Sequence, residues 1–78
     1  MTDMDYICKE WFSPTRYYRL EISKDMFGMW VIIRTWCSRT SAKGSSLVIS
    51  TAEKAEALAW DAKVSRERTK KGYTLLPA

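Results

Sequence analysis

A chain of 78 residues has room for one domain and no second core. With 46% apolar and 28% charged residues, it reads as a soluble globular domain rather than a disordered tail. The longest apolar run, Met29 to Ile33, is too short to cross a bilayer, which takes about 20 helical residues, and the net charge of +4 points toward polyanionic partners.

Asp5 to Ser13 holds Tyr6, Ile7, Cys8, Trp11 and Phe12, an aromatic, β-leaning stretch stopped by Ser13-Pro14-Thr15. Arg16 to Ser23 alternates: Tyr18, Leu20 and Ile22 fall on one face, Tyr17, Arg19 and Glu21 on the other, as in a half-buried strand. Lys24 to Gly28 is a turn in which Gly28 supplies a positive φ. Met29 to Trp36 is a strand apolar on both faces, which predicts a central position and an antiparallel hairpin with the strand before it. Cys37 to Ser46 reads as a polar loop and Leu47-Val48-Ile49 as a short strand. Ser50 to Glu53 fits a capping box, and a helix is predicted near residues 51–70, closed by Gly72 at the C′ position.

That helix carries two apolar faces. Ala55, Leu58, Ala59 and Ala62 form the stripe expected to face the sheet. Ala57, Trp60 and Val64 lie nearly opposite, to be covered by the amino-terminal strand or the Leu75-Leu76 tail, or to face a partner. The predicted architecture is α+β: an antiparallel sheet of four or more strands with one long helix across it, over residues 1–78. A core this small suits a monomer or a weak dimer that gains extra burial, although four Trp, four Tyr and two Phe enlarge it.

The chain has no histidine, so serine and cysteine nucleophiles lack their usual base. Two cysteines, Cys8 and Cys37, are too few for a tetrahedral zinc site. The carboxylates are scattered, with no pair spaced for acid–base work. Neither an enzyme nor a metal or other cofactor is expected. Met1 to Asp5 is acidic and free of any apolar stretch, so no secretory signal is expected, and two free thiols suit a reducing compartment, the cytoplasm.

Charge is uneven. Residues 61–78 carry Lys63, Arg66, Arg68, Lys70 and Lys71 against Asp61 and Glu67, a balance that fits a nucleic-acid partner. Cations at a helix end also complement its dipole, which is the structural alternative.

In order, Tyr17-Tyr18-Arg19-Leu20-Glu21-Ile22 precedes Phe27-Gly28, then Trp30 to Trp36. A polar loop with Arg39 and Gly44, a short strand, and an Ala-rich helix ending in Lys71-Gly72-Tyr73 follow. From about Tyr17 to Tyr73 this resembles the WGR domain, named for its Trp-Gly-Arg motif. The resemblance implies a sheet packed on one helix and a role in binding nucleic acid. In DNA-damage-sensing poly(ADP-ribose) polymerases the motif Trp packs on the DNA backbone at a strand end, and the motif Arg helps dock a neighbouring domain. The domain also occurs as short stand-alone bacterial copies, which this chain resembles. It has no polymerase region, so none of that catalysis carries over.

The motif is altered here. Trp36 matches the Trp, and Cys37 replaces the Gly. The Arg corresponds to Ser38 without a gap, or to Arg39 with one inserted residue, and the latter keeps a cation in the motif. The predicted contacts are Trp36, for stacking on a sugar or unpaired base, and Arg39 and Lys43 in a hydroxyl-rich loop suited to phosphate. Arg34 is placed either on a tryptophan or on a phosphate, and Arg16, Arg19 and the helix-end cations extend a positive track. The alternative function is a protein-interaction module that docks a partner through the loop and the Trp60 face.

Overall fold

The computed structural model describes residues 6–39 and 44–76. Four strands precede the helix: β1 (Tyr6–Phe12), β2 (Arg16–Lys24), β3 (Trp30–Ser38) and β4 (Gly44–Thr51). The helix α1 (Lys54–Lys70) and a two-residue strand, β5 (Thr74–Leu75), follow. The strands form one sheet in the order β4-β3-β2-β1-β5, and every neighbouring pair is antiparallel. With the helix packed on one face, the architecture is α+β, as the sequence predicts.

The alternation in β2 sets the layers. Tyr18, Leu20 and Ile22 point at the helix and are buried, as are Trp11 and Ile32, the register partners of Tyr18 and Ile22, and Trp30. Ile22, Ile32 and Ile49 lie in one cross-strand row, and Trp11 meets Tyr18 edge-on at 66° with centroids 6.0 Å apart. Such cross-strand pairs stabilise a sheet by about 0.2–1 kcal/mol each. The hairpin between β2 and β3 turns at Asp25, whose carboxylate accepts from the Phe27 and Met29 N–H groups, both at 2.9 Å. Gly28 there has φ +83°, the region glycine tolerates.

The helix turns the opposite way from the sequence expectation. Ala57 and Val64 are fully buried against the sheet, with Trp60 packed beside them. Ala55, Leu58, Ala59 and Ala62 face outward. The sheet-facing stripe includes Asp61 and Arg68, and this hides it from a count of apolar residues. Asp61 reaches Lys9 of β1 at 2.8 Å, and Lys9 also donates to Ser65. The second apolar face thus needs no separate cover, because the sheet itself covers it.

Boundaries also differ. Strand β3 runs to Ser38, two residues past the expected end at Trp36, because Cys37 and Ser38 pair with Tyr17 and Arg16 of β2. The strand expected over Leu47–Ile49 extends over Gly44–Thr51, pairing Ser45 and Ser46 with Trp36 and Thr35. Ladder hydrogen bonds come from the backbone, so hydroxyl side chains do not stop a strand beside a well-formed neighbour. The Ser50 capping box is absent, because Ser50 and Thr51 belong to β4. Glu53 is the N-cap and makes no side-chain capping bond, while Thr51 Oγ1 donates to Glu56 and accepts from the Glu53 N–H. At the other end the expectation holds. Gly72, at φ +87°, follows the cap residue Lys71, its N–H donating to Thr69 O at 3.1 Å and that of Tyr73 to Arg68 O at 2.9 Å. This is a Schellman closure.

Candidate functional site

The Schellman closure brings Tyr73 back against Arg68, in the last turn of the helix. The Arg68 guanidinium lies 4.9 Å from the Tyr73 ring centroid and 4.5 Å from that of Tyr18. Tyr18 is the register partner of Trp36, and their rings stack near-parallel, 13° apart in plane with centroids 6.2 Å apart. Tyr18 is buried, whereas Trp36 is 37% exposed at the outer end of β3. Arg34, two residues earlier on the same face, donates from Nε to the Tyr18 hydroxyl at 2.5 Å. Its guanidinium sits 5.2 Å from the Trp60 ring centroid.

These side chains line an open groove of about 960 Å³ on the helix-bearing face of the sheet. Arg16 closes one end, and Ser38 and Ser45 add polar walls. Two guanidinium groups, those of Arg34 and Arg68, lie over aromatic rings, that of Arg16 also lines the groove, and none of the described residues lining it is a carboxylate. Arg68 Nε is buried and makes no hydrogen bond to the described residues, although its guanidinium stacks on two rings. Gly44 lets β4 close beside Trp36: a Cβ there would sit 2.8 Å from Cys37 Cβ and 3.0 Å from Trp36 O.

The sequence-predicted contacts are not all brought together. Trp36, Arg34 and Arg16 meet in the groove. Arg34 rests on Tyr18 and Trp60 and also lines the groove. Arg19 points to the other face of the sheet, 3.7 Å from Glu21. On that face Tyr17 donates to Glu10, and burial together with this bond pushes the Tyr17 phenol up to about 12. Arg39 is directed at the turn between β1 and β2, donating from Nη1 to Ser13 O at 2.9 Å with its guanidinium 5.4 Å from the Phe12 ring. Its own N–H donates to Thr15 O, so Arg39 ties the end of β3 to that turn. Lys43 lies outside the described residues.

Sequence reasoning left out Tyr18, Tyr73 and Ser45 as site residues, and took in Arg68 only as one of the helix-end cations. The basic helix end and the Gly72-Tyr73 closure were the available signals. Trp60, the anchor of the alternative docking face, packs on the core beneath Arg34 and Lys63. A shallow depression of about 270 Å³ opens beside it. No helix among the described residues is long and apolar enough to cross a membrane.

A family model, described as the WGR domain, matches residues 9–77. Comparison with curated proteins and with solved structures gave no match. The family match covers most of the chain, which belongs to the WGR family. Domains of this family are in general nucleic-acid-binding modules.

Proposed function

Starting from a WGR domain, we propose that this chain binds DNA backbone at strand ends or along single strands, in the groove between the end of β3 and the end of α1. The observation that carries this is that Arg16, Arg34 and Arg68 line one groove beside the Trp36–Tyr18 stack, with no carboxylate among the described lining residues. Trp36 offers a sugar or an unstacked base an aromatic surface, a contact worth about 1–3 kcal/mol. Arg16 and Arg68 are placed to meet phosphates, and a guanidinium can do so bidentately. Arg34 holds the Tyr18 floor in place. Within a duplex the base faces are stacked on one another, so an open strand or a terminus is the form that fits an aromatic platform. The lining cations and hydroxyls suit phosphate and sugar oxygens, so the recognition proposed is of backbone rather than sequence. The chain is a binding module rather than an enzyme, and it acts without a cofactor.

A fluorescence titration with short single- and double-stranded DNA at two salt concentrations tests this. Binding should weaken with salt at a log–log slope of about −0.7 to −0.9 per phosphate contact. Failure to bind either DNA at low salt and micromolar protein would refute the proposal. A partner bound with flat salt dependence would favour protein docking instead.

A further inference from the structure

The sheet has two unequal edges. On one side β5 is only two residues long, and the part of β1 beyond it carries Lys9 and Glu10. On the other side β4 runs for eight residues, in unbroken register with β3 and with no described strand on its outer side. An edge strand presents unpaired N–H and C=O groups. Proteins commonly guard such edges with charge, proline, a bulge or short length. None of these guards β4. Its sequence, Gly-Ser-Ser-Leu-Val-Ile-Ser-Thr, has no charged residue and no proline, and Leu47 and Val48 are 46% and 60% exposed.

The order of residues indicates what such an edge would pair with. About Val48 the strand reads alike in both directions by chemical type: Leu47 and Ile49, then Ser46 and Ser50, then Ser45 and Thr51. An antiparallel second copy centred on Val48 sets Val48 against Val48, Leu47 against Ile49, Ser46 against Ser50 and Ser45 against Thr51. Each apolar side chain meets an apolar one and each hydroxyl meets a hydroxyl, on matching faces of the sheet. Moving the centre to Leu47 or Ile49 sets Val48 opposite a serine. A one-residue slip sets helix-side residues opposite residues of the far face. The strand is therefore self-complementary in one register.

We infer that β4 is the interface of a homodimer, two copies joining edge to edge about a two-fold axis at Val48 to make one continuous sheet. The contact is isologous and closes on itself. The axis stands perpendicular to the sheet, so both helices and both grooves lie on one face. With one strand from each copy the interface is small, and the dimer is concentration-dependent.

Sedimentation equilibrium on the whole chain, in reducing buffer so that Cys8 and Cys37 stay unlinked, tests this. The mass should rise with concentration from that of one chain, 9.1 kDa, to that of two. Val48→Lys and Val48→Glu each place like charges opposite one another and should remain at one chain. An equal mixture of the two variants should recover the two-chain mass. Val48 is exposed, so both variants should keep the parent circular dichroism and melting. If either fails to fold, amide exchange of the unsubstituted chain decides, because Leu47 to Ile49 should exchange more slowly as concentration rises. Three results overturn the inference: a parent chain that stays at one-chain mass with concentration-independent exchange, Val48→Lys variants that pair like the parent, or growth past two chains.

Discussion

Replacing Arg68 by methionine separates the groove's role in binding from its role in stability. The methionine keeps an unbranched apolar stem and removes the guanidinium. Two ring contacts are lost, at 4.5 Å to Tyr18 and 4.9 Å to Tyr73. At about 0.5–1 kcal/mol each they account for about 1–2 kcal/mol. A cation in the last helical turn adds about 0.3–1 kcal/mol. Against this, Arg68 Nε is buried without a hydrogen bond to the described residues, and removing such a group returns about 1–3 kcal/mol. The terms nearly cancel, so the variant should stay within about 1 kcal/mol of the parent, a melting shift of at most about 4–8 °C. DNA binding has no such offset. Loss of a charge-assisted contact costs about 1.5–3 kcal/mol, roughly a tenfold to 150-fold fall in affinity. The salt slope should become shallower by about 0.7–0.9. Arg68→Lys, which keeps the charge without the planar stack, should retain the slope at reduced affinity. The measurements are thermal melts beside titrations at two salt concentrations. Unchanged affinity and slope in a folded Arg68→Met variant would remove Arg68 from the phosphate contacts and the groove from its proposed role.

Gly44→Ala should cost about 1–3 kcal/mol by overpacking, since the new methyl meets Cys37 Cβ and a backbone oxygen rather than a flexible side-chain end. Chemical denaturation should show partial rescue in the Gly44→Ala, Cys37→Gly double variant, which removes the first of those contacts. Arg39→Ala should lower stability by about 0.5–1.5 kcal/mol, through loss of its bond to Ser13 O, while DNA affinity stays within about twofold. A large loss of affinity would return Arg39 to the binding site. On the helix, Ala57→Leu should cost about 1–3 kcal/mol and Leu58→Lys less than about 0.5 kcal/mol, and the reverse order in melts would restore the face expected from sequence. Tyr17 has a folded-state value of about 12 against an ordinary 10.0. Its contribution is therefore complete below about pH 10 and is lost as pH rises toward 12, because the unfolded chain ionises first. Alkaline denaturation followed by phenolate absorbance should show this loss, and Tyr17→Phe should lessen it.

Residues that act through backbone geometry or strict alternation were legible in the sequence. The two-residue period of Tyr18, Leu20 and Ile22 marked β2 as a strand with one buried face, and the doubly apolar run through Val31 to Ile33 placed β3 inside the sheet. The positive φ of Gly28 and Gly72 followed from turn and helix-end positions that only glycine occupies without strain. Trp36 stood out as a candidate contact because the expected strand ended there, and it lines the groove. The tertiary structure decided the rest. Ala57, Trp60 and Val64 won the sheet over the more uniformly apolar Ala55–Leu58–Ala62 face because the same stripe also delivers Asp61 to Lys9 and Arg68 to Tyr18. Strand β4 outgrew its apolar centre because its ladder is drawn from the backbone of β3. The groove joins residues distant in sequence, Arg16, Arg34, Trp36, Arg68 and Tyr73, so no local window contains it. Arg39, beside Trp36 in sequence, lies on the opposite side of the strand end. Local spacing fixes which way a side chain leaves its own strand or helix. Which elements then come together depends on how the faces pack, and only the folded chain sets that.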